Sequence, residues 1–250
     1  MHRATRSARS PASAIRALRS KIRRLAMRHS QLDTVIPPEI IDDPFATLIE
    51  QLAADPHVHN ALEIGSSNGA GSTASIVKGM CRNDPKALYC IELSVPRFQE
   101  LVARYSDRSW VHCHNLPSVP VALMPTDEDV SRFYVQHSDS KIRQFSLKEV
   151  LRWLHQDIEY MERINSPEAG IEAAREAAGV DEFDLVLIDG SEFTGFVELE
   201  ALYGATYVLL DDTMTFKNYE SCERLRGDLS YELIAEDRHC RNGFAAFKRR

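Results

Sequence analysis

The sequence has 250 residues, 44% of them apolar, and a formal net charge of −7; that is enough chain to bury one substantial core, and it argues for one α/β domain rather than two complete ones. No stretch approaches the roughly 18 to 20 uninterrupted apolar residues of a membrane span and the N-terminus lacks the apolar centre of a secretory signal, so the body is expected to be soluble and cytoplasmic. Five cysteines, Cys81, Cys90, Cys113, Cys222 and Cys240, contain no C-x-x-C pair, which argues against a disulfide framework or a zinc knuckle and leaves them as reduced packing residues.

Charge sets the first 32 residues apart. They hold nine Lys or Arg and no acid, leaving 21 bases against 37 acids, a net charge of −16, in residues 33–250. The acidic body is a poor candidate for neutralising phosphates, so no nucleic-acid partner is expected. In the tail, Ile15, Leu18, Ile22 and Leu25 share one helical face while Arg16, Arg19, Lys21, Arg23 and Arg24 occupy much of the rest, which predicts a basic amphipathic helix. Such a segment suits a solvated arm, peripheral docking on an anionic membrane or a partner, or an organelle transit peptide.

After the break at Pro37-Pro38, residues 39–54 carry Ile40, Ile41, Phe45, Leu48, Ile49 and Leu52 at mainly helical spacing, predicting a helix that covers a sheet. The apolar run Ala61-Leu62-Glu63-Ile64 closes on Gly65 and leads through a glycine-containing loop into a helix from Ser72 to Met80. A second run, Ala87 to Ile91, ends in Glu92; a helix from Pro96 to Tyr105 then leads to a third run around Trp110 to His114. This alternation implies parallel strands joined by crossover helices.

The next clear strand, Asp184 to Ile188, lies about 70 residues further on, far more than one crossover needs. Residues 116–182 therefore form an insertion, entered through a polar, His-containing stretch at 126–140. Ser146 to Ile164 reads as an amphipathic helix, and Ser166-Pro167-Glu168 starts another that stops near Gly179. Long connections in compact domains are commonly lids, so the insertion is expected to order over the crevice when ligand binds. A fifth strand, Thr206 to Leu210, precedes Asp211-Asp212, and Tyr231 to Ala235 with Phe244 to Lys248 flank Asn242-Gly243 as an antiparallel hairpin. The expected fold is a Rossmann-like, doubly wound, mostly parallel sheet over residues 33–250, with that hairpin at its edge and the helical insertion between its third and fourth strands.

In such a sheet, ligands bind beyond the carboxyl ends of the strands at the topological switch point, which places residues 65–71 at the centre of the crevice. Glycines at 65, 69 and 71 allow a sharp turn and close approach, and the following helix points N–H groups at a ligand. Glu92, 21 residues after Gly71, stands where a carboxylate accepts both hydroxyl hydrogens of a ribose. The bland alternative is a strand–helix–strand unit whose glycines only turn the chain and whose glutamates are solvated. The spacing G-x-x-x-G-x-G after an acid differs from the dinucleotide pattern G-x-G-x-x-G, and Glu63 would repel a pyrophosphate while pairing with an amino group.

The runs E-I-G-S-S-N-G-A-G-S-T and Y-C-I-E resemble motifs I and II of the class I S-adenosylmethionine-dependent methyltransferases. The resemblance implies that Glu63, Gly65, Ser66, Gly69, Gly71 and Ser72 hold the methionine part, that Glu92 and Leu93 meet the ribose, and that Asn115 sits near the adenine. Asp189, with Asp211 and Asp212, is similar to the acidic set with which the metal-dependent O-methyltransferase branch binds Mg²⁺, although the interval from Asp189 to Asp211 is several residues short and no glycine pair precedes the fifth strand. Hard oxygen ligands suit Mg²⁺, which would hold a substrate hydroxyl as its alkoxide. Without a metal, Asp189 positions the donor or caps a helix, and His137, His155 or Lys217 is the candidate base. The expected activity is methylation of an oxygen on a sugar or other small hydroxylated metabolite; the competing reading is a non-catalytic nucleoside-binding module that docks through its basic tail.

Overall fold

The computed structural model describes residues 31–166 and 168–250. The helix expected in residues 15–25 lies outside them. Among the described residues no helix is long and apolar enough to cross a membrane.

Helix α1 (Pro44–Ala53) precedes β1 (Asn60–Ile64), α2 (Ser72–Met80), β2 (Ala87–Ile91), α3 (Val95–Arg104) and β3 (Val111–His114). The insertion supplies α4 (Asp127–Gln136), α5 (Leu147–Ile164) and α6 (Gly170–Ala178). There follow β4 (Leu185–Ile188), α7 (Gly195–Leu202), β5 (Tyr207–Asp211), α8 (Tyr219–Arg226), β6 (Tyr231–Asp237) and β7 (Phe244–Arg249). The seven strands lie in the order β3-β2-β1-β4-β5-β7-β6; the first five are parallel, and β7 runs antiparallel between β5 and β6. This is the Rossmann-like sheet with a reversed terminal hairpin that the alternation implied.

The central strands are apolar because both faces are covered. Ala61, Leu88, Cys90, Leu185, Leu187 and Leu209 pack on one face with Phe45 and Ile49 of α1, Ile76 and Met80 of α2 and Leu101 of α3. Their alternating neighbours Leu62, Ile64, Ile91, Val186, Ile188, Val208 and Leu210 pack on the other with Ile171, Leu199, Leu202 and Leu225, as a side-chain period of two requires.

Differences from the sequence reading have local causes. Helix α1 starts at Pro44, later than the apolar spacing implied, because a proline at the first helical position holds the residue before it extended; Asp43, at φ −113° and ψ 172°, caps the helix by accepting from Ala46 N–H at 2.8 Å. The polar entrance of the insertion is a helix, α4, opened by a capping box between Thr126 and Asp129. It buries only Val130 and Phe133, too few apolar positions for the periodicity to show. Helix α6 begins at Gly170 rather than Ser166, its first turn set by tertiary bonds from Gly170 N–H to the Pro117 carbonyl and Ile171 N–H to the Ser118 carbonyl. Helices α7 and α8 had no assignment in the sequence.

The insertion has an apolar core of its own. Val130, Phe133, Ile142, Val150 and Leu154 close around Phe193, which follows β4, and against Phe216 and Tyr219, which follow β5. Packing on those two loops seats α5 at the carboxyl end of the sheet.

Candidate functional site

Strand β1 pairs with β2 on one side and β4 on the other, so the connections after β1 and β4 diverge and a crevice opens at their carboxyl ends. A cleft of about 250 Å³ lies there. Its floor is Gly65, Ser66, Ser67, Gly71 and Ser72; Glu92, Leu93 and Arg97 form one wall, and Asp189, Ser191, Asp212 and Lys217 the other. Asp157 and Met161 of α5 face it from the insertion, and Pro37, Pro38 and Ile40 line the side nearest α1.

Gly65 has φ +86°, and a Cβ there would stand 2.0 Å from the Asp189 carbonyl oxygen; only glycine permits both that turn and that contact. Beyond it, Ser67 takes up a left-handed conformation, φ 49°, which aims its N–H at Glu92 Oε2 (2.7 Å) while Ser94 N–H donates to Oε1 (2.6 Å). Glu92 is 4% exposed and burial pushes its carboxyl upward in pKa. The hydroxyls of Ser66 and Ser67 are buried with no protein partner.

Glu63 does not reach the cleft. It is completely buried beneath the loop, where Ser72 Oγ and Thr73 Oγ1 each donate to one of its oxygens at 2.6 Å. Glu63 thus fastens the first turn of α2 to β1, a positioning task in place of the expected contact with an amino group. Gly69 also turns away from the cleft: a Cβ on it would collide with Tyr105 and Leu101, and its carbonyl accepts from Tyr105 Oη at 2.6 Å. The Asn115 amide donates to the carbonyls of Glu92 (2.7 Å) and Leu93 (3.0 Å), so it shapes the loop after β2 and is not among the cleft residues.

At the other wall, Asp189, Asp211 and Asp212 each offer an oxygen within 4.8 Å of the others, close enough to share a hard cation. The place between Asp189 and Asp212 is taken by Lys217, whose Nζ lies 2.8 Å from Asp189 Oδ1 and 2.7 Å from Asp212 Oδ2. Arg241, from the turn between β6 and β7, holds Asp211 Oδ1 at 2.6 Å. Burial pushes Asp189 up to about 7 against the pull of Lys217. Burial also works against the Lys217 ammonium, but the carboxylates of Asp189, Asp212, Asp211 and Glu192 outweigh it and hold that pKa well above its ordinary value. Lys217 is presented by a built turn: Asp212 is left-handed (φ 55°), and the buried Asn218 amide donates to the carbonyls of Ile188 and Asp211, tying the ends of β4 and β5 together.

Asp157 and Ser191 also face the cleft, and the sequence reading gave neither a role. Asp157 Oδ2 accepts from Ser191 Oγ at 2.6 Å, and burial raises its carboxyl to about 6. The signal was present, because Asp157 falls on the buried stripe formed by Val150, Leu154 and Met161, where an acid is out of place unless it has a task. Of the expected bases, His155 is exposed on the same helix and paired with Asp127 at 2.7 Å, and His137 packs among Phe133 and Tyr219; neither lines the cleft.

No family model matches the sequence, and no curated protein matches it. Solved structures do share the fold. A methyltransferase from Geobacter sulfurreducens superposes with a TM-score of 0.51 at 12% identity, over 98% of this chain and 92% of that one. The O-methyltransferase from Bacillus cereus in complex with SAH gives 0.51 at 11%, over 94% and 97%. The O-methyltransferase TomG from Streptomyces achromogenes, involved in tomaymycin synthesis and solved with SAM, gives 0.50 at 13%, over 93% and 96%. The fold is the Rossmann-like fold of these methyltransferases.

Proposed function

We propose that this chain transfers a methyl group from S-adenosylmethionine to an oxygen of a small hydroxylated acceptor, a sugar or secondary metabolite. The observation that carries the reading is Glu92, held rigid at the end of β2 by two backbone N–H groups beside the unpartnered hydroxyls of Ser66 and Ser67. A fixed carboxylate in that place suits the two hydroxyls of a ribose, and buried hydroxyls without partners are satisfied by a polar ligand. The residues present therefore fit the cofactor, which when bound supplies a methyl group activated on a sulfonium sulfur. Glu92 orients the ribose, Ser66 and Ser67 meet polar groups of the ligand, and Gly65 and Gly71 keep side chains out of its path.

The acceptor chemistry falls to Asp157, Asp189 and Lys217. When bound, the cofactor would offer its electrophilic methyl to the acceptor oxygen, and Asp157, which lines the cleft, would take the proton that the hydroxyl gives up. A carboxyl raised to about 6 is mostly ionised at neutral pH and a better proton acceptor than an ordinary aspartate. Mg²⁺ has no step in this reading, because an ammonium already stands between Asp189 and Asp212. Against the non-catalytic module stand the open cleft and the gathering of Asp189, Asp211 and Asp212 at its wall.

Calorimetric titration with S-adenosylhomocysteine tests the cofactor. Micromolar binding is expected, weakened in Glu92→Ala by about 1 to 3 kcal/mol, the range for losing a hydrogen bond to a charged group. Absence of binding to the wild type would overturn the reading.

A further inference from the structure

The acidic set at the ends of β4 and β5 has the composition of a divalent-cation site and the contents of an ion-pair network. Two of its carboxylates meet on Lys217 Nζ, at 2.8 and 2.7 Å, and the third is bound by Arg241. The lysine is no stray surface chain: it is 7% exposed and presented from a turn that Asn218 staples to two strands. A divalent ion entering between Asp189 and Asp212 would have to displace a buried ammonium held by two carboxylates.

We infer that Lys217 is an internal cation standing where a divalent metal would otherwise bind, so that the acidic cluster is filled by the chain itself and the reaction needs no metal. An ammonium has three N–H donors. Asp189 and Asp212 take two, and the third serves an acceptor oxygen, since Lys217 lines the cleft. The same geometry carries a converse: taking the ammonium away should turn the three carboxylates into a genuine divalent site, because their oxygens already lie within 4.8 Å of one another. The catalytic consequence rests on the methyltransferase reading; the occupancy of the cluster does not.

The test is a Mn²⁺ titration followed by electron paramagnetic resonance, on wild type, Lys217→Ala and Asp212→Asn, without cofactor. The wild type is expected to take up no Mn²⁺ at this cluster up to millimolar concentration. Lys217→Ala is expected to bind one equivalent at least ten-fold more tightly than the wild type, with a melting temperature that Mn²⁺ raises in the variant and not in the wild type. One equivalent bound by the wild type and lost in Asp212→Asn would overturn the inference, as would a folded Lys217→Ala that binds none. Should that variant fail to fold, the wild-type and Asp212→Asn titrations decide. S-adenosylhomocysteine calorimetry on the same wild-type sample keeps the questions apart: loss of cofactor binding sinks the methyltransferase reading and leaves the Mn²⁺ result to judge Lys217.

Discussion

The two walls of the cleft bury acid by different means. Beneath the glycine loop, Glu63 loses all contact with water and is satisfied by two neutral hydroxyls from the next helix; beside it, Glu92 is held by two backbone N–H groups. Across the cleft, Asp189 and Asp212 depend on one ammonium 28 and 5 residues further along the chain, and Asp157 reaches in from the insertion to a single serine hydroxyl. The first arrangement fixes its acids with neutral hydroxyls and backbone N–H groups. The second leaves charge partly compensated and facing the cleft, which is where a reaction can use it.

Substitutions can break this contrast, beginning with the largest expected effect. Gly65→Ala should cost about 2 to 6 kcal/mol, combining a side chain at positive φ with forced overpacking; it would press a methyl against the Asp189 backbone and so damage both walls at once. Chemical denaturation measures it. Lys217→Met should cost about 3 to 5 kcal/mol, because it leaves two buried carboxylates unpaired, and adding Asp212→Asn should recover part of that loss. Full additivity of the two changes would show that the pair is not coupled.

Asp157→Asn should do the opposite and stabilise the fold. Its folded pKa, about 6, lies above the ordinary aspartate value of 3.8, so its protonated form is favoured by folding and its contribution to stability is lost as pH rises through 6. Removing the charge should therefore stabilise by about 1 to 3 kcal/mol at pH 7, at 1.36 kcal/mol per pKa unit with a discount for partial exposure. The gain should shrink as pH falls from 6 towards 4, while methyl transfer drops; a gain independent of pH would refute the assignment. His155→Gln sits at the small end: its exposed pair with Asp127 should contribute less than about 0.5 kcal/mol, with melting temperature and turnover unchanged. A marked loss of turnover there would return His155 to the reaction.

Much of the binding wall was legible in the sequence, because its parts are contiguous. Residues 63–73 contain the acid, the turn glycine and the hydroxyls that act on one another, and Glu92 follows directly from a strand that its apolar run identifies. Even there, the tasks of Glu63, Gly69 and Asn115 needed the fold: a residue's type shows that it can meet a ligand, but whether its side chain points at the cleft or under the loop depends on what helices α2 and α3 pack against it.

The succession of strands along the chain, the crossover helices α2 and α3, the hairpin at the edge, the acids at the ends of β2, β4 and β5 and the position of the crevice were determined by the sequence alone, because apolar period, glycine placement and chain connectivity act over a few residues. Only the tertiary structure decided that Lys217 fills the acidic cluster, that Asp157 rather than His155 faces the cleft, and that the insertion packs on the loops after β4 and β5. Apart from the Asp212–Lys217 pair, five residues apart, those outcomes join residues tens of positions apart, and the energies that select them, burial of charge and its compensation by a partner, exist only once the chain has brought them together.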